Sequence, residues 1–269
     1  MGAIYPKPWL LFGLFVILGH LYLDCSLYRL WKGWARGMKA GFAGRRLKGP
    51  ALRIWLVEVF LQRQLLSLSV ARWLIHQCIF WGFVSLTFLS LAKFMLFLLS
   101  RVSLDAGLEA FFSDGAGYAF TKLWGDFFGL VLLGGSAGAL LRRFLFRPVQ
   151  IVHDQEDAFL SVYLFGMTLS GFVLEGMRIS VSPSDLDRFA FVGVLFMPFR
   201  MGIGALPGEW LTWAWTIHAF SGAALLFYLP HSKLLHSLLA PFVIAMNASE
   251  EQGRKDMYWP KTDQYRPTK

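Results

Sequence analysis

Residues 73–99 read WLIHQCIFWGFVSLTFLSLAKFMLFLL, a run in which apolar side chains predominate almost without interruption. A helix of about 20 apolar residues spans the hydrocarbon core of a bilayer, which is about 30 Å thick. The stretch therefore predicts a transmembrane helix, and it is the clearest such signal in the chain.

Similar apolar blocks recur along the sequence, at about 8–30, 120–141, 158–177 and 210–229. The composition agrees, because only 16% of the 269 residues are charged and 56% are hydrophobic, whereas a soluble domain carries about 25% charged residues. A further apolar run, 189–205, is interrupted by Pro198 and Arg200 and is predicted to lie in the membrane interface. The chain is thus predicted to be an all-α integral membrane protein with a five-helix transmembrane bundle.

The basic residues predict the orientation of this bundle. Glu58 is the only acid in loop 31–72, which contains the basic residues Lys32, Arg36, Lys39, Arg45, Arg46, Lys48, Arg53, Arg63 and Arg72. Cytoplasmic loops carry the excess of Lys and Arg, so the N-terminus is predicted outside and the C-terminus in the cytoplasm, with the chain multi-pass in the inner (cytoplasmic) membrane. The net charge of +9 lies between apolar blocks. It therefore indicates orientation rather than nucleic-acid binding.

Two segments are predicted to lie on the cytoplasmic side. We divide the chain into a transmembrane domain, 1–246, and a polar tail, 247–269. Within loop 31–72 of the first domain, residues 54–68 alternate apolar and polar side chains at helical spacing, which indicates an amphipathic surface helix; a plain connector is the alternative. The tail carries Tyr258, Trp259 and Tyr265, which indicates a docking strip for a partner or an aromatic anchor in the interface.

The histidines are the candidates for chemistry inside the membrane. A polar ring within a span is costly, and imidazole is a common axial ligand of haem iron. His218 and His236 stand 18 positions apart, so one helix carrying both would present them on one face about 27 Å apart. Such a helix could ligate one haem near each side of the membrane, although Pro230 would kink it.

Each haem needs a second ligand from another helix. His76, at the cytoplasmic start of the second span, matches His236 in predicted depth. His20 is the candidate for His218, and the alternatives are a five-coordinate haem there or no haem at all. Each histidine could instead be a hydrogen-bonded packing residue. His153 follows the third span among acidic residues and is predicted to be solvated.

Three segments resemble a known family. Residues 72–83, RWLIHQCIFWGF, resemble the second helix of the nitrate reductase gamma-subunit family, and more closely the branch containing the membrane subunit of methanogen heterodisulfide reductase and its relatives in sulfate-reducer complexes. Residues 171–179, GFVLEGMRI, resemble that branch's fourth helix. Residues 229–236, LPHSKLLH, resemble the end of its fifth helix.

The resemblance implies a cytochrome b with one or two haems b. Such proteins pass electrons between menaquinone, or another quinone, and a cytoplasmic iron–sulfur subunit; membrane lipids and a periplasmic cytochrome c are further candidate partners. It implies His76 and His236 as ligands of the inner haem and His218 as a ligand of the outer one. Leu86 stands where the nitrate reductase branch has another histidine, which leaves His20 or an open position as the second outer ligand.

Charged residues near these helices supply the remaining candidates. Lys93, inside the second span, is a candidate for a hydrogen bond to a quinone oxygen or to a haem propionate, and the alternative is that it snorkels outwards and does neither. Asp126, inside the third span, is a candidate quinone contact that could accept protons released from a quinol. Glu175 and Arg178 are predicted to form an ion pair, with a haem propionate as the alternative partner of Arg178. Arg72, together with Arg63 and Lys233, could hold an inner propionate or lipid phosphate. The competing function is a small transporter or proton-relay protein without haem.

Overall fold

The computed structural model describes residues 8–38, 49–103, 114–146, 155–196 and 208–250, and no strand occurs within these ranges. His153, Pro198, Arg200 and the tail 251–269 lie outside them. The described helices, in chain order, are α1 (Trp9–Met38), α2 (Gly49–Leu56), α3 (Arg63–Leu68), α4 (Val70–Ser103), α5 (Gly115–Leu141), α6 (Gln155–Val181), α7 (Phe191–Leu195), α8 (Gly208–Tyr228) and α9 (Leu235–Glu250). Turns of π-helix follow α2 (Val57–Leu61) and α5 (Arg142–Phe146), and turns of 3-10 helix precede α7 (Asp185–Phe189) and follow α8 (Leu229–His231).

Four of these helices are long and apolar enough to cross a membrane: Leu10–Trp34, Val70–Ser100, Gly115–Phe146 and Gln155–Val181. They confirm the first four predicted spans. The predicted fifth span corresponds to α8, which has 21 residues but is less apolar, because tryptophan, threonine and His218 interrupt it. The fifth crossing and the orientation of the termini stay predictions.

The chain divides into two compact units. The first contains residues 1–21 and 74–227, and the second contains 22–73 and 228–269.

Close helix contacts in the first unit depend on glycine. A Cβ on Gly82 of α4 would lie 2.6 Å from the Cβ of Leu132 on α5, and one on Gly135 would lie 2.8 Å from the backbone nitrogen of Ile79. Both distances are too short for any side chain, so the absence of a Cβ lets α4 and α5 approach. Small residues permit such close approach of membrane helices, although a Cβ on the neighbouring Gly134 would meet nothing within 4 Å.

The run after the fourth span is packed into the first unit. Ala190 is fully buried and Val192 is 5% exposed, and the ring of Phe196 stacks on Phe172 of α6 with centroids 6.1 Å apart. This burial describes packing against α6 and not depth in the membrane, so the interfacial position of 189–205 stays a prediction for its described part. The short helix α7 is favoured here because two of its backbone amides donate to the carboxylate of Asp126.

In the second unit, α2 and the π-helical turn pack on α9. The indole N–H of Trp55 donates to the carbonyl of Pro241 at 2.7 Å, and that of Trp73 donates to the carbonyl of Leu61 at 2.7 Å. The predicted helix over 54–68 is interrupted at Gln62, which is left-handed with φ 46° and ψ 49°. A glutamine in this conformation is unusual, and no sequence signal marks it.

The largest correction concerns the fifth helix. Helix α8 ends at Tyr228, a 3-10 turn containing Pro230 follows, Ser232 is extended, and α9 begins only at Leu235. Pro230 has no N–H to donate and its ring obstructs a continuing helix. His218 and His236 therefore lie on different helices, and the argument that five helical turns place them on one face is wrong.

Candidate functional site

His218 of α8 lies against the backbone of α6 at a glycine. A Cβ on Gly171 would come within 3.3 Å of the ring carbon Cε1 and 3.8 Å of Nε2 of His218. Because glycine has no Cβ, the half-buried imidazole can rest directly on the helix. The predicted ligand is thus held between two helices of the first unit.

The hydrogen bonds of His218 indicate which ring nitrogen carries the proton. Its Nδ1 lies 2.9 Å from the hydroxyl of Ser170, and that hydroxyl donates to the carbonyl of Met167 at 2.9 Å. A serine hydroxyl has one proton, so Ser170 accepts from Nδ1–H. The lone pair is then on Nε2, as a metal ligand requires.

His20 and His236 have the same tautomer for a different reason. Nδ1 of His20 bonds the carbonyl of Val16 at 2.9 Å, and Nδ1 of His236 bonds the carbonyl of Lys233. Carbonyls only accept, so Nδ1 is the donor in both rings and Nε2 carries the lone pair. The half-buried ring of His20 also stacks on Phe94, with centroids 6.3 Å apart.

The proposed inner pair falls in different units. His76 is a half-buried residue of α4 in the first unit, whereas His236 is exposed and belongs to the second. Arg72, also in the second unit, is half-buried, and its backbone N–H donates to the hydroxyl of Ser69 at 3.4 Å. The ligand pairing and a propionate role for Arg72 stay predictions.

A cluster of charges joins α5, α6 and the 3-10 turn that precedes α7. Glu175 accepts from Lys122 and from Arg178, the latter at 3.1 and 3.2 Å, and Arg178 also donates to Asp187. The side chains of Lys122 and Asp187 are only 11% and 7% exposed. The predicted Glu175–Arg178 pair is therefore confirmed as an ion pair, and it belongs to a larger network. Arg178 as a propionate partner stays a prediction.

The network and the histidine share one side of α6. Gly171, Glu175 and Arg178 are spaced i, i+4 and i+7, which places them on one helix face. Along the axis, Glu175 lies about 6 Å beyond the position where His218 rests. Lys93 of α4 has an exposed side chain, and Lys122, Glu175 and Arg178 are near enough to interact with its charge.

Asp126 has a structural role in the described part of the chain. Its carboxylate, 5% exposed, accepts from the backbone N–H groups of Val192 and Gly193 at 2.6 and 3.2 Å. These are amides of the first turn of α7, which the helix itself cannot bond. Asp126 of α5 therefore caps α7, and its role toward a quinone stays a prediction.

We expect Asp126→Ala to destabilise the protein and Asp126→Asn to be tolerated. Alanine leaves two buried amides without an acceptor, at a cost of about 1–3 kcal/mol each, whereas asparagine keeps an oxygen that accepts. Thermal unfolding in detergent measures the difference. An Asp126→Asn protein as unstable as Asp126→Ala would contradict the capping role. A stable Asp126→Asn protein that no longer oxidises a quinol would instead reveal a proton-accepting role in addition to the cap, because asparagine lacks the capacity to take a proton.

Sequence reasoning missed Ser170, Lys122 and Asp187. Lys122 could have been found, since it is a charge inside a predicted span, four residues before Asp126. Ser170 gave no signal beyond its place beside Gly171. Among the residues that the structure describes, no three or more His, Cys, Asp or Glu side chains cluster as a metal site; haem iron takes only one or two axial ligands from the protein.

A sequence profile of one family matches residues 52–193, which is more than half of the chain. That family is HdrE, a subunit of dihydromethanophenazine:CoB–CoM heterodisulfide reductase. The chain belongs to this family. The match includes His76, Ser170 and the charge network, whereas His20, His218 and His236 lie outside it.

Individual HdrE proteins agree with the profile. The chain is 28% identical over 205 residues to that of Methanosarcina mazei, covering 75% of this chain and 70% of the relative. It is 28% identical over 206 residues to that of Methanosarcina acetivorans, covering 75% and 68%. No solved structure matches. As a member of the HdrE family with four apolar helices, the chain is a multi-pass membrane protein; the resemblance to the nitrate reductase branch stays a prediction.

Proposed function

We propose that this chain is the haem b subunit of a membrane oxidoreductase complex, passing electrons between a quinone-like carrier in the bilayer and a cytoplasmic iron–sulfur subunit. The observation that carries the proposal is the setting of His218. Its ring rests on Gly171, and its Nδ1–H is donated to Ser170. Membership of the HdrE family supports an electron-transfer role rather than transport.

The residues of the chain fit a haem. His20, His218 and His236 each donate from Nδ1 to an oxygen, so each has the tautomer in which Nε2 can bind iron. Haem b supplies one-electron transfer when bound. The protein's part is to orient each imidazole, to surround the site with apolar helices and to keep the charges of the network near its outer end.

The carrier is inferred from chemistry and from the relatives. Their description names dihydromethanophenazine and the CoB–CoM heterodisulfide, and we extend to this chain a reduced aromatic carrier, a menaquinol or dihydrophenazine. Oxidising such a molecule releases two electrons and two protons. Lys93, exposed on α4 and within the field of the network, is suited to donate a hydrogen bond to the oxygen or nitrogen of the carrier.

The assembly follows from this assignment. We propose five crossings with α8 as the fifth, the N-terminus outside, and the cytoplasmic side formed by loop 31–72 and the tail. The iron–sulfur partner then docks on that side, where Arg53, Arg63 and Lys233 supply positive charge. The relatives' description names no periplasmic cytochrome c, and that partner stays a prediction.

The dithionite-reduced minus oxidised spectrum of the purified protein tests the proposal. We expect the α-band of haem b, at a stoichiometry of one or two haems per chain, and we expect its partial reduction by an added quinol. A colourless protein that binds no added haem would exclude a cytochrome. The transporter or proton-relay function would then be the better account of the charges in the spans.

A further inference from the structure

We propose that Ser170 is a positioning residue that sets the reduction potential of the haem bound by His218. The inference rests on the proposed function, since it needs a haem at that histidine. It concerns one hydrogen bond, between Nδ1 of His218 on α8 and the hydroxyl of Ser170 on α6, at 2.9 Å.

We assign the direction of this bond from the second contact of the hydroxyl. With the hydroxyl proton of Ser170 donated to the carbonyl of Met167, three residues earlier in α6, its oxygen accepts from His218. Nδ1 keeps its proton and the lone pair is on Nε2. Because donor and acceptor belong to different helices, the bond also fixes the rotation of the ring against Gly171.

His218 differs here from the other candidate ligands. His20 and His236 donate to backbone carbonyls of their own segments, which no side-chain substitution removes. The described partner of His218 is a side chain. A change at this single position therefore alters the ligand's electronic environment while the ligand itself is kept.

The bond has a predictable electronic effect. An imidazole that donates from Nδ1 is a more basic ligand at Nε2, and a more basic ligand stabilises ferric over ferrous iron. Second-shell partners of metal ligands commonly change affinity by about 10-fold or more. Loss of the bond should therefore shift the balance toward ferrous haem by about 10-fold, or about 59 mV for a one-electron couple.

The experiment is a redox titration of the purified protein carrying Ser170→Ala, Ser170→Thr or the control Ser161→Ala. Ser161 lies on the same helix and donates to the carbonyl of Asp157 at 2.8 Å, so Ser161→Ala removes a similar hydrogen bond within α6. We expect Ser170→Ala to raise the potential of one haem component by about 59 mV. Ser170→Thr keeps the acceptor oxygen and should retain the wild-type potential, as should Ser161→Ala.

The outcomes separate this inference from the proposed function. A wild type without haem overturns both. A wild type with haem whose potentials are unchanged in Ser170→Ala overturns the positioning role alone. If Ser170→Ala loses the haem component altogether, the test passes to the Ser170→Thr variant. A wild-type potential in Ser170→Thr supports the role of the hydroxyl, and a raised potential or a lost component in that variant refutes it.

Discussion

Replacing His236 by alanine and replacing His76 by alanine are expected to remove the same haem component. The two histidines match in predicted depth at the cytoplasmic side, and His236 has its Nδ1 engaged by the carbonyl of Lys233, so that Nε2 can bind iron. Without one axial ligand a haem b in a helix bundle is not retained in its low-spin form. Redox titration of membranes from each variant should lose one midpoint component entirely and keep the other.

His231→Ala is the matched control for this pair. It lies five residues from His236, but its Nε2 bonds the hydroxyl of Tyr22 at 2.6 Å, so it has a partner other than iron. We expect both components to survive. Loss of different components in His76→Ala and His236→Ala would refute the pairing, and loss of a component in His231→Ala would identify a ligand outside the predicted set.

The spans could be predicted from the sequence because a bilayer selects for length and apolarity, which are properties of the sequence itself. The span at 73–99 could be predicted without knowledge of the tertiary structure, and so could the first, third and fourth spans. Hydropathy could not predict the residue at which each helix ends. Helix α1 continues to Met38, through Lys32, because a basic side chain suits the C-terminal end of a helix as it leaves the membrane.

The fifth helix shows where spacing arguments fail. The 18-residue interval places His218 and His236 on one face only if both lie in one continuous helix. Helix α8 ends at Tyr228, and Pro230 follows two residues later. The proline was visible in the sequence. Whether it would kink a helix or terminate it depends on what receives the released backbone groups, which the sequence does not state.

The partners of the site residues were the least predictable. The Glu175–Arg178 pair was predictable because both lie on one helix at a spacing of three. The contacts of Glu175 with Lys122 and of His218 with Ser170 join different helices, and packing decides which residues meet. Gly171 and Ser170 are small residues, and small residues in a span mark close helix approach without identifying what approaches.

The outer site depends on the way α1 packs on α8. The rings of Phe12 and Phe220 meet at 5.5 Å, and a Cβ on Gly19 would lie 3.0 Å from the side chain of Leu226. His20 follows Gly19, and Leu226 is eight residues, or about 12 Å, along α8 from His218. Two axial ligands of one iron are more readily supplied by residues that lie at the same depth along their helices. The packing therefore favours the open-position alternative over ligation by His20.

We accordingly expect His218→Ala to abolish one haem component completely and His20→Ala to leave that component in place. The wild-type protein should show a high-spin ferric signal by EPR, because Leu86 offers no ligand and His20 stacks on Phe94 instead. A high-spin signal that His20→Ala leaves unchanged would agree with an open position at the outer iron.

Two results would contradict this account in different ways. A low-spin signal that disappears in His20→Ala would establish His20 as the second ligand, and α1 would then have to tilt more steeply against α8 than its contacts at Phe12 and Gly19 indicate. Two low-spin haems that both survive His20→Ala would require a ligand outside the histidines considered for the outer site. In either case the outer haem would be six-coordinate, and the carrier would still be expected to bind in the vicinity of Lys93.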